Sequence, residues 1–159
     1  MKRFAVRFGF LAILLLIQTG LGSLLPRYFT PDLVLFGIVY FSLRRGPVMG
    51  VFLGLLIGLV QDVYAYETLG AHALSKCLVG YLVGLFDVSH FTFTPLTKLI
   101  LLFSGLLVHD FVFNLASGLG FYTSLINLFT VSLSTGMTTL LIAIPIFYYL
   151  KFGNSESND

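Results

Sequence analysis

The run Gly46-Pro47-Val48-Met49-Gly50-Val51-Phe52-Leu53-Gly54-Leu55-Leu56-Ile57-Gly58-Leu59-Val60-Gln61-Asp62 decides the fold. Glycine stands at every fourth position from 46 to 58, and the next step of the series is a carboxylate. Residues four apart on a helix lie nearly above one another, so the run predicts a helix with one stripe free of side chains. The residues between the glycines are almost all apolar and suit lipid. Inside a bilayer such a stripe lets another backbone come very close, which is how helices associate there. Packing within a membrane is the first property this chain declares.

Composition agrees. The 159 residues are 57% hydrophobic and 10% charged, with a mean hydropathy of +0.97. Soluble domains carry about 25% charged residues, so polar material is too scarce here to cover a water-facing globule. At roughly 20 residues per crossing, the length admits about six or seven spans and no soluble domain besides. A net charge of +2, concentrated at helix ends, excludes a nucleic-acid-binding face. Cys77 is the single cysteine, which rules out an internal disulfide and a thiolate metal site and reads as an inert thiol. Met1-Lys2-Arg3 and Arg7 before an apolar run imitate a secretory signal, but Gly20-Leu21-Gly22 is a poor cleavage site, so an uncleaved first span is expected.

Six spans are expected, over residues 8–25, 31–43, 47–64, 69–86, 96–117 and 124–150, as one domain covering 1–150. Residues 151–159 form a short polar tail, expected to be disordered. Thr30-Pro31-Asp32 opens the second span with a hydroxyl cap, proline at the first helical position and an acid near the positive dipole end. That span reaches only about 20 Å before Arg44-Arg45, short of a crossing of about 30 Å. It must borrow flanking residues or be a partial insertion shielded by its neighbours. Pro145 is expected to kink the end of the sixth span.

Six crossings from a cytoplasmic N-terminus put Lys2, Arg3, Arg7, Arg44, Arg45, Lys98 and Lys151 on the inner side and Arg27 alone outside. Both termini are then cytoplasmic. Tyr28, Tyr64, Tyr66 and Tyr122 fall at the outer boundary, and Tyr148 and Tyr149 at the inner one. Phe29-Thr30-Pro31 recurs as Phe93-Thr94-Pro95; the likeness stops at the proline, and both read as helix starts rather than as an inverted repeat.

The fourth span carries its own series of four: His72, Lys76, Gly80 and Gly84. A short turn makes it the antiparallel neighbour of the glycine-striped helix. Gly80 and Gly84 should then face the inner part of the stripe, and Lys76 should lean toward Asp62. Asp110 lies at a similar depth and competes for Lys76, with His109 beside it on another face. Ionisable groups inside a span cost roughly 2.5–3.5 kcal/mol each, so they should face protein or water. Two readings of Asp62, Lys76 and Asp110 stay open: an ion pair fixing helix register, which is preferred, and a small proton or solute site. Asp32 reads as a helix cap, His72 and His90 as solvated groups near span ends, and Asn114 and Asn127 as interhelical hydrogen-bonding residues. No metalloprotease, serine-hydrolase, Walker or dinucleotide motif occurs. Ser104 and His109 share a span on different faces, a weak basis for an intramembrane hydrolase.

The order of elements resembles a known family. Pro31-Asp32-Leu33, then Arg44-Arg45-Gly46-Pro47, the glycine ladder through Gly50, Gly54 and Gly58 to Asp62, Leu69-Gly70-Ala71-His72-Ala73-Leu74, and Gly80-Tyr81-Leu82-Val83-Gly84 look like the MreD rod shape-determining proteins. The likeness is best over residues 31–86 and extends further only through length, span count and topology. It implies a bacterial inner-membrane scaffold with no catalysis and no cofactor, acting in the elongation machinery that inserts peptidoglycan along the side wall. The partners implied are the bitopic protein MreC and, through or beside it, the actin-like MreB, the RodA glycosyltransferase and its class B penicillin-binding protein, with membrane lipid as a further partner. The family's architecture is also similar to the six-helix substrate-binding subunits of energy-coupling-factor transporters. A small-solute-binding membrane subunit is therefore the alternative, although the loops at 25–30, 63–68 and 118–123 are too short to lid a vitamin.

Overall fold

The computed structural model describes residues 2–24, 26, 29–65, 68–86 and 94–153, with side chains described over 9–22, 24, 26, 29–64, 68–86 and 94–146. These residues form α1 (Lys2–Leu24), α2 (Leu33–Arg45), α3 (Pro47–Ala65), α4 (Ala71–Gly84), α5 (Pro95–Ala116), α6 (Phe121–Asn127) and α7 (Leu133–Gly153). A π turn at Leu128–Ser132 joins α6 to α7 without a break, so the seven segments make six helical rods. Pro145 sits inside α7. The cations Lys2, Arg3, Arg7 and Arg27, the residues Tyr28, Tyr66, His90, Tyr148, Tyr149 and Lys151, and the tail from 154 lie outside the described side chains.

Three rods have the length and apolarity to cross a membrane: Pro47–Tyr64, Pro95–Ala116 and Phe121–Ile146. Only 33%, 28% and 22% of these windows are buried within the protein, so most of their apolar surface faces outward, as lipid contact requires. Among the remaining rods, α2 and α4 are shorter than a full crossing of about 30 Å. α2 has 13 residues and α4 has 14, each about 20 Å long. α2 can be short because neighbours cover it: nine of its residues are buried, Leu33–Val39 with Ser42 and Leu43. It supplies Leu35, Phe36, Val39 and Leu43 to a core shared with α4, α5 and α7. It also supplies Val34 and Ile38 to a second core with Leu11, Leu15, Leu53 and Ile57 of α1 and α3. A central helix need not match the bilayer by itself.

The glycines bring the α3 and α4 backbones into direct contact. A Cβ built on Gly54 would stand 2.5 Å from the carbonyl oxygen of Lys76, and one on Gly58 would strike the Ala73 backbone. Gly50 and Gly80 meet backbone to backbone, and Gly84 meets Pro47 in the same way. Gly46 differs. It is not on the α3 stripe but ends α2 with φ 81°, a left-handed conformation that glycine adopts without a Cβ penalty, and its carbonyl carbon lies beneath Gly84.

The two Phe-Thr-Pro segments diverge. Thr94 caps α5 by accepting from the Thr97 N–H, with Pro95 at the first helical position. At the other copy the cap is Asp32, whose Oδ1 accepts from the Leu35 N–H at 2.8 Å, while Thr30 donates to the Pro26 carbonyl. A carboxylate facing a helix N-terminus outcompetes the hydroxyl two residues earlier, so the helix begins later than expected.

Candidate functional site

The C-terminal ends of α1, α3 and α5, the N-terminal ends of α2 and α4, and the junction of α6 with α7 gather at one end of the bundle, where they wall a cavity of about 970 Å³. Most of its lining residues bear amides, hydroxyls or ionisable groups, among them Gln18, Gln61, Asn114, Asn127 and Ser132, while apolar atoms supply the larger share of its surface. Asn114 and Asn127 thus face this space. The π turn contributes Val131 and Ser132 to the same wall.

A chain of four ionisable groups meets the cavity, three of them in its wall and Lys76 behind it. Lys76, with no exposed surface, donates from Nζ to Asp32 Oδ2 at 3.2 Å and stands 2.7 Å from His109 Nε2. An ammonium has only donors, so His109 Nε2 must accept, and the ring's proton sits on Nδ1. That Nδ1–H donates to Asp110 Oδ1 at 3.2 Å. His109 Nε2 is also 3.7 Å from Asp32 Oδ2, which closes a compact triangle. Phe113, one helical turn beyond His109, stacks on His72 with ring centroids 4.3 Å apart.

This arrangement corrects the expected grouping of Asp62 with Lys76 and Asp110. Lys76 lies opposite Gly54 in the α3–α4 seam, two turns or about 12 Å along α3 from Asp62. Its side chain turns toward α2 and α5 instead. Asp62, fully buried, accepts from the backbone N–H groups of Gly70, His72 and Ala73 at 3.0, 2.8 and 3.2 Å. It is the missing N-cap of α4, supplied by α3, because Gly70 at the cap position has no side chain. Asp110 does belong with Lys76, through His109. Asp32 is both cap and ion-pair partner, one oxygen serving each role. His72, expected in solvent, is packed against an aromatic ring and lines the cavity.

Sequence reasoning passed over Gln18 and Thr139. Gln18 Oε1 accepts from the Val34 N–H, and Thr139 Oγ1 accepts from the Asp32 N–H, each at 3.0 Å. Together they tie the start of α2 to α1 and α7. A polar residue on an apolar helix was the available signal, but nothing local names its partner. Ser104 donates to the Leu101 carbonyl at 3.0 Å, whereas His109 is committed to Lys76 and Asp110. Among the described residues no group of three or more His, Cys, Asp or Glu could hold a metal ion.

The ion pair yields a prediction. Lys76→Met removes the counter-charge of Asp32, whose side chain is 17% exposed toward the cavity. Breaking a fully buried pair costs 3–5 kcal/mol, and hydration from the cavity reduces this to about 1–3 kcal/mol. Thermal unfolding of the solubilised protein should show that loss, and adding Asp32→Asn should recover part of it. An unchanged melting temperature in the single variant would contradict the assigned pairing.

Apolar rods packed through a glycine seam, with the buried groups Asp32, Lys76 and His109 drawn together toward one end, define a multi-pass helical membrane protein. The chain belongs to the MreD family, the rod shape-determining proteins, which it matches over residues 2–152. No curated protein and no solved structure matches it.

Proposed function

We propose that residues 1–150 act as one non-catalytic scaffold in the bacterial inner membrane. It supports cell shape and lateral peptidoglycan synthesis by binding an MreC-like bitopic protein, with MreB, RodA and a class B penicillin-binding protein in the same assembly. The family match carries this reading. Its physical support is that the distinctive residues, Gly50, Gly54, Gly58, Gly80 and Gly84, build a packing surface. With both termini cytoplasmic, Arg44, Arg45 and Lys98 lie on the inner side, and the cavity opens outward.

Affinity capture of the full chain from membranes should bring down an MreC-like partner, and depletion of the chain should turn rods into spheres. Failure of both would remove the scaffold reading. The second reading is a solute-binding transporter subunit of the energy-coupling-factor type, and the observation favouring it is the polar cavity. Loss of solute uptake with unchanged cell shape would select it.

A further inference from the structure

We propose that the cavity binds a primary ammonium group carried on a hydrogen-bonding headgroup, with Asp110 as its counter-charge. Among the described residues, the ionisable side chains lining the cavity are Asp32, His72, His109 and Asp110. Lys76 is not in that wall, and its ammonium is spent on Asp32 and His109. Asp32 is therefore matched, whereas among the described residues Asp110 has only the neutral His109 N–H on one oxygen and is 26% exposed. A carboxylate left with a charge deficit in a membrane protein favours a cation beside it. An anionic ligand would meet two carboxylates and no lysine or arginine in the described wall.

A second observation points the same way. Gln61 Oε1 and Ser117 Oγ both belong to lining residues, are shielded from solvent and have no hydrogen-bond partner among the described residues. A buried carbonyl oxygen without a donor costs about 1–3 kcal/mol. An N–H-bearing cation supplies the counter-charge that Asp110 lacks, and it reaches Gln61 Oε1 once that side chain turns into the cup, since the oxygen as it stands has no surface open to the cavity. Asp110, Asn114 and Ser117 follow one another at helical spacing down α5, and Gln61 and Asn127 stand on other rods. The site is thus a cup built from several helices rather than one acidic residue. This inference rests on the cavity alone and holds whether or not the scaffold reading does.

The ammonium could be carried by a soluble amine or by a lipid headgroup, and two arms separate them. The full-length protein would be challenged in detergent with ethanolamine or glucosamine against glycerol, and reconstituted with phosphatidylethanolamine, phosphatidylcholine or phosphatidylglycerol for native mass spectrometry. Thermal stability reads the first arm, since a ligand of the folded state raises it by mass action. One arm should show preference for the primary ammonium, with phosphatidylcholine, which has charge but no N–H, binding less well than phosphatidylethanolamine. Asp110→Asn keeps the oxygen that accepts from His109 and removes the charge, so affinity should fall by about tenfold or more. Asn127→Phe, which fills the cup from another rod, should do the same and serves if the first variant does not fold. Absence of any ammonium preference in both arms, or equal binding by the variants, would overturn the proposal. Either result is independent of partner capture.

Discussion

Alanine at Gly54 should destabilise the solubilised protein far more than alanine at Gly9 or Gly20, and leucine there should prevent α3 and α4 from pairing. A Cβ at Gly54 meets the carbonyl and carbon of Lys76 and the amide of Cys77 at 2.5–2.8 Å, all backbone atoms, whereas one at Gly9 or Gly20 meets nothing within 4 Å. Overpacking costs about 1–3 kcal/mol where side chains can yield. Backbone cannot yield without moving a whole helix, so the loss should reach at least about 3 kcal/mol. Helical circular dichroism through a thermal ramp, with size-exclusion recovery, would measure it. Equal melting of Gly54→Ala and Gly9→Ala would mean that the seam is not the close contact described. Because the α3–α4 pair is the packing surface on which the proposed scaffold role rests, the same variant should weaken capture of the proposed MreC-like protein.

Asp62→Ala should be comparably severe. Three backbone N–H groups at the start of α4 lose their acceptor at once, in a place without exposed surface. Bonds to a charged group contribute about 1.5–3 kcal/mol each, and their loss is not additive, so about 3–5 kcal/mol is expected. Asp62→Asn keeps one acceptor oxygen and should fall between wild type and alanine. Hydrogen exchange would localise the effect to residues 70–73. If exchange there were unchanged in Asp62→Ala, water would have to be capping α4 and the cross-helix cap would carry no weight.

The two variants also show how unevenly the sequence could be read. The glycine series announced a tight contact because a four-residue repeat on a helix is a local property, settled by geometry within one segment. Antiparallel pairing with the next helix followed from the short turn. The role of Asp62 did not follow, because an acid ending such a series looks the same whether it faces a lysine or the open end of another helix. Gly70, unable to cap its own helix, was the one local hint. Asp32 read as a cap, which it is, but its second oxygen reaches Lys76 across 44 positions of sequence.

By itself, the sequence determined a lipid-embedded helical chain, the α3–α4 seam and the positions of most helix ends, since hydropathy, glycine spacing and cap chemistry act over a few residues. Tertiary structure alone decided that α2, already short by its sequence, stands centrally between the two cores. It also decided that Lys76 pairs with Asp32 and His109, and that the polar ends of the helices enclose a cavity. Each depends on which helix stands beside which at a given depth. A buried ammonium takes whichever acceptors the assembled bundle brings within about 3 Å, and no spacing along one chain specifies that neighbour.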